Sequence, residues 1–250
     1  MSQMMTRSDM TEQKWLSCAD PAPMLYSLRD NDKLSDRKLR LFACACCRWG
    51  WHLLIDPRSR RAVEVAERYA DGLASTEELE SAHEAARNAK WDSFGIEGIY
   101  PPGFAAEMTT ETECEASAAA VAAVGSCFPF PRRIGILRRL LSKAVREAQK
   151  AAQLKLQTAW SHQAHLLRDV FGPLLFRPVA VEAAWLSWHD KLIASMAQQM
   201  YDARDFADMP VLADALEEAG CDNADILNHC RQPGEHVRGC WVVDLLLNKS

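Results

Sequence analysis

The stretch CDNADILNHCRQPGEHVRGCW sets Cys221, His229, Cys230, His236 and Cys240 within twenty residues. Thiolate sulfur and imidazole nitrogen are the donors zinc takes in tetrahedral sites, and Cys221, Cys230, His236 and Cys240 would supply four if two short helices fold back across Pro233-Gly234. His236 and Cys240, four residues apart, would then share a helix face. The separations of nine, six and four lack the short knuckle of two cysteines that marks the strongest zinc signatures. The competing reading is a small C-terminal helical cap in which the cysteines and Trp241 pack, with Arg231, Arg238 and His236 on its polar rim.

A second cluster, Cys44-Ala45-Cys46-Cys47, gives Cys44 and Cys47 the C-x-x-C spacing of redox and zinc sites. Redox chemistry needs the first thiol at a helix N-terminus, where the dipole lowers its pKa, and zinc knuckles need a loop. These cysteines fall in mid-helix, so packing in a core is the favoured reading. The other catalytic patterns are missing. His83-Glu84 is not followed by the second histidine of a zinc protease, His162 and His165 have no matching carboxylate motif, and no phosphate-binding glycine loop or nucleophile elbow occurs.

Charge reverses sharply in the middle of the chain. Residues 91–130 carry six acids and no Lys or Arg, whereas residues 131–155 carry eight basic side chains against one acid. Arg132, Arg133, Arg138, Arg139, Lys143 and Arg146 could lie along nucleic-acid phosphates. The favoured alternative pairs this helix with the acidic segment as an antiparallel hairpin, or leaves it solvated, since no aromatic platform for bases is interleaved.

The elements that would position these groups read as helices. Spacings of three and four dominate, and 11 Gly and 11 Pro are few in 250 residues. The expected class is all-α, an irregular multi-helix bundle with one long central helix or helical hairpin. Asp36 is expected to cap a helix to about Ile55 that is apolar nearly all round, which marks it as the heart of the core. Asp56-Pro57 opens the next, and Ser75 with Glu78 forms a capping box. A long helix should run from Arg132 to about Val170, whole or broken near Ser161. Further helices are expected over residues 181–206, 211–219, 223–231 and 236–248, and the layout divides into blocks at 1–91, 92–165 and 166–250.

Composition sets the outer bounds. At 48% hydrophobic, 25% charged and net charge −5, the chain reads as an ordinary globular protein, not one dominated by nucleic-acid or anionic-membrane binding. Its nine cysteines are an odd number, and neither a signal peptide nor a run of eighteen apolar residues is present, which points to the reducing cytoplasm.

The strings MTEQKWLSCADPAPML, DRKLRLFACACCRWGWHLL, SRRAVEVAERYADG, LLRDVFG, FRPV and PVLADALEEAGCDNADILNHCRQPGEHVRGCWVVDLLLNK resemble a family of many paralogous copies in planctomycete bacteria. The resemblance covers about residues 10–91 and 166–248. It implies a cytoplasmic bacterial protein and suggests Met10 as the usual start, with residues 1–9 an extension. The family has no established activity, so it brings no site residues. The favoured function is therefore a non-enzymatic helical interaction or regulatory protein with a protein partner and no membrane. The alternatives are zinc binding through the C-terminal Cys/His cluster, structural or hydrolytic, and nucleic-acid binding through residues 131–155.

Overall fold

A computed structural model describes residues 10–29, 35–93, 109 and 143–249. The expected all-α class holds, with no strand among the described residues. Eleven α-helices are described: α1 (Glu12–Ser17), α2 (Pro21–Arg29), α3 (Asp36–Trp49), α4 (Pro57–Ala70), α5 (Thr76–Ser93), α6 (Lys143–Phe171), α7 (Ala183–Ser187), α8 (Leu192–Ala203), α9 (Met209–Glu218), α10 (Ala224–Arg231) and α11 (Trp241–Leu246).

Helix α3 is central, as its all-round apolar character predicts: every residue from Lys38 to Cys47 is buried. Its cap is Ser35, not Asp36, with Ser35 Oγ accepting from the Lys38 amide. The helix ends at Trp49, and Trp51–Leu53 form a short 3₁₀ turn, so Ile55 stands in solvent. Asp56 and Pro57 open α4 as expected, Asp56 Oδ1 accepting from the Arg58 amide at 2.8 Å. Ser75 Oγ likewise accepts from the Glu78 amide, but the Glu78 carboxylate is taken by Arg61 and Arg68.

The long helix α6 passes Ser161 without a break, and its last turns place Leu166, Leu167, Val170 and Phe171 in the core beside α3. It stops at Gly172, whose φ of +53° is left-handed and whose missing Cβ would lie 2.5 Å from the Trp241 indole. Any side chain there would collide with the start of α11.

The single helix expected over residues 181–206 is divided. α7 ends at Ser187, and His189, Asp190 and Lys191 follow in left-handed conformation, with φ of 43°, 58° and 70°. Such a run is costly for residues with a Cβ, so packing must compensate for it. The break re-phases the chain. Ile193, Ala197, Met200 and Tyr201 of α8 turn inward and fill a second core with Trp185, α9, α10 and α11. Asn223 caps α10, and residues 232–240 are not helical, so α11 begins only at Trp241.

A buried ion network joins the two cores. Arg37 of α3 donates to Asp244 of α11 at 2.7 Å and to Asp71 at 3.1 Å, while the Tyr201 hydroxyl donates to Asp71 at 2.6 Å. Lys38 beside it donates to the Val170 carbonyl at 2.8 Å, tying α3 to α6. Removing one member of such a network leaves its partner charged and desolvated, a loss of about 3–5 kcal/mol. Asp244→Ala should therefore lower the unfolding free energy measured in urea by that amount, with a matching fall in the midpoint. Arg177→Ala, which breaks the exposed pairs with Asp225 and Glu12, should leave the midpoint nearly unchanged.

Candidate metal centre

Asp169 sits in the last turn of α6 on the face that packs inward with Leu166 and Val170. Its side chain is wholly buried, so its charge must be met by the protein. Oδ1 lies 2.6 Å from His236 Nδ1 and 3.2 Å from His229 Nε2, and Oδ2 accepts from the Val237 amide at 3.0 Å. His229 projects from α10, while His236 comes from the non-helical link, where Pro233 and Gly234 turn the chain back over α6.

Cys240 completes the group at the entrance to α11. Its Sγ stands 3.2 Å from His229 Nε2 and 3.9 Å from His236 Nδ1. The ligand atoms of Asp169, His229, His236 and Cys240 all lie within 4.8 Å of one another, and all four residues are buried. These groups could hold a metal ion. In a tetrahedral zinc site with bonds of about 2.0–2.3 Å, neighbouring ligand atoms stand roughly 3.3–3.6 Å apart. Of the six separations among four ligand atoms, three are close to that, the 2.6 Å hydrogen bond between His236 and Asp169 would have to open by less than about 1 Å, and the remaining two are within 4.8 Å.

The electrostatics suit a cation. Burial alone would raise the Asp169 carboxyl, but hydrogen bonds from His229 and His236 outweigh it and hold the group at about 2. Burial lowers His229 against the pull of Asp169, which favours the neutral imidazole a metal requires. Burial first, and then the Asp169 charge, push the Cys240 thiol well above its ordinary value. A divalent ion would reverse that by binding the thiolate, and with the Asp169 carboxylate the site would be electrically neutral. An outer partner is near as well. The Gln232 side-chain amide nitrogen lies 3.1 Å from His229 Nδ1, and turning the carboxamide over would let its oxygen accept the Nδ1 proton that a metal on Nε2 demands.

The Cys–His contact is also the pattern of a cysteine nucleophile, but a nucleophile must be ionised and reachable. Cys240 has no exposed surface and burial pushes its thiol well above the ordinary value, both of which work against a reachable, ionised nucleophile.

The structure redistributes the predicted ligands. His236 and Cys240 do come together, though not on one helix face: a turn with the Cys240 amide donating to the Val237 carbonyl at 2.9 Å folds one back on the other. His236 is buried rather than on a polar rim, and Arg231 alone of that rim pairs on the surface, with Asp214 and Glu217. Cys221 and Cys230 pack in the second core outside the group within 4.8 Å, and burial pushes the Cys230 thiol up to about 12.

Their places are taken by His229 and Asp169. The signal for Asp169 was a lone carboxylate on the apolar face of LLRDVF, while His229 lay within the cluster already singled out. Cys44, Cys46 and Cys47 are buried in α3, and Cys44 Sγ points to the Val63 carbonyl at 3.8 Å, consistent with packing. Arg132, Arg133, Arg138 and Arg139 lie outside the described residues, as does the acidic segment before them apart from residues 91–93 and Thr109; of Lys143 and Arg146 only the helical backbone is described.

No family model, no curated protein and no solved structure matches this chain.

A third histidine beside the site supplies a test of its burial. His162 stacks on Trp49 at 4.8 Å between ring centroids, and burial, reinforced by His165, lowers it from 6.5 to about 4. Its folded value is depressed, so the unfolded chain takes up the proton first. Stability from His162 is complete above about 6.5 and is lost as pH falls towards about 4. His162→Phe, which keeps the stack, should make the urea midpoint fall less steeply across that window.

Proposed function

We propose that this chain is a non-enzymatic zinc-binding helical protein in which one ion, held by Asp169, His229, His236 and Cys240, fastens the end of α6 to the C-terminal helices. The observation that carries this reading is the convergence of four ligand atoms of three chemical kinds at one wholly buried point. Two imidazoles, a thiolate and a carboxylate are all zinc donors, and four protein ligands fill a tetrahedral shell without an open position for water. That favours a structural over a hydrolytic role. The soft sulfur and the two nitrogens disfavour magnesium and calcium, which take oxygen.

The ion would add what the peptide chain lacks here. Residues 233–239 are not helical, and their path over α6 is fixed mainly by Asp169 and by the contacts of His165 and Arg238 with backbone carbonyls. The described cysteines are all free thiols, which supports the reducing cytoplasm as the setting. No described helix is long and apolar enough to cross a membrane.

Elemental analysis of the purified protein should find close to one equivalent of zinc. Cobalt exchanged into the site should give the d–d bands of tetrahedral coordination and a thiolate-to-cobalt charge-transfer band. Asp169→Asn and Cys240→Ser should each lower zinc affinity by at least about tenfold, and Cys240→Ser should also abolish the charge-transfer band. Less than about a tenth of an equivalent of zinc, with folding indifferent to chelator, would overturn the reading.

A further inference from the structure

Behind His236, on the side away from Asp169, lies a partly open cavity of about 150 Å³. Its wall is mixed. Leu41 and Phe206 give it apolar surface, while Arg48, Arg204 and Arg238 line the remainder with Glu67 and Glu235. Three guanidiniums against two carboxylates leave one positive charge.

The protein does not use all of the donors on that wall. Arg48 spends Nε and Nη2 on Glu67, both at 2.8 Å, Arg204 gives Nη2 to the same carboxylate, and Arg238 gives Nε and Nη2 to the Tyr201 and Asp202 carbonyls. Among the described residues, Nη1 of each has no hydrogen-bond partner, nor has Arg204 Nε. Glu67 is satisfied twice over and is nearly fully buried, so it holds the two guanidiniums in place and has little left to offer a ligand.

His236 connects this cavity to the ligand cluster. Its side chain is 5% exposed, its Nδ1 faces Asp169, and its Nε2 is buried with no partner. The two nitrogens of an imidazole diverge, so one that serves Asp169 or a metal leaves the other aimed elsewhere. While Nδ1 donates its proton to Asp169, neutral Nε2 is a bare lone pair. A metal on Nδ1 moves the remaining proton to Nε2 and makes it a donor.

We infer that this cavity binds a small monocarboxylate, its oxygens taken by the free N–H groups of Arg48, Arg204 and Arg238 and by His236 Nε2, and that zinc on His236 Nδ1 tightens that binding. The planar fork of a guanidinium matches a carboxylate. The single net positive charge matches one negative charge. The volume suits a molecule about the size of benzene, and Leu41 and Phe206 receive its apolar body. The coupling rests on the zinc reading, since it uses the tautomer that a metal imposes. By linkage the ligand must raise zinc affinity by the factor by which zinc raises its own.

The probe is butyrate, titrated calorimetrically into the full chain with one equivalent of zinc and again after chelation, with butyramide and butylamine as neutral and cationic controls. Butyrate should bind at a ratio of one, about tenfold more tightly with zinc than without, while both controls fail. Arg204→Asn removes a guanidinium while keeping a residue tolerant of the left-handed backbone at φ 55°, and it should weaken butyrate at least about tenfold. Phe206→Trp fills the cavity and should abolish butyrate binding with zinc still bound.

Zinc bound without saturable butyrate binding would overturn this inference alone, as would equal affinity in the two forms or butyrate binding indifferent to both substitutions. A chain that takes no zinc would overturn the metal reading and the coupling with it, and elemental analysis tells that case apart.

Discussion

A carboxylate with no access to water sits in the last turn of the longest described helix, and the C-terminal part of the fold is arranged around it. Asp169 needs compensation that the apolar residues of α6 cannot give. Two imidazoles and a backbone amide supply it, and they come from residues 60 to 68 positions further on. That requirement explains why the chain after α10 leaves helical geometry. A helix over residues 232–240 would tie up the Val237 amide and aim His236 elsewhere, so the chain gives up local hydrogen bonds in favour of a long-range one.

The two ionic systems of the core divide the work between them. Arg37, Asp71, Tyr201 and Asp244 bind α3 to α8 and α11, while Arg48 and Arg204 share Glu67 and so bind α3 and α4 to the end of α8. Apolar packing alone tolerates sliding between helix faces, but charged groups buried with their partners accept one arrangement. The cavity beside His236 is what remains between the Glu67 system and the Asp169 cluster.

Much of the fold was legible in local chemistry. Asp56-Pro57 announced α4 because cap and first-turn residues act within four positions, and α3 announced its burial because no polar face interrupts it. What could not be read was governed by distant partners. Nothing in WLSWHDKLIASM prescribes three left-handed residues in succession; that conformation follows from the need to seat both Trp185 and Ile193 in one core. His236 and Cys240 suggested a metal through their types, yet the spacing along the sequence misassigned their companions, because convergence in space depends on how α6 meets the final turn. Asp169 carried a signal, a charge on an apolar stripe, whose meaning needed the histidines that cover it.

The seclusion of the four groups also sets a clock. The four ligand atoms are enclosed, and only the far edge of the His236 ring borders the cavity, so an ion or a thiol reagent would have to wait for residues 232–240 to lift away from α6. Exchange is then limited by an excursion of the chain and not by bond strength at the site. The Trp241 indole pressed on Gly172 closes one flank of that segment, and its grip helps to fix how often the excursion occurs. A centre built in this way would hold an ion kinetically, and the lifetime of that ion would be a property of the fold.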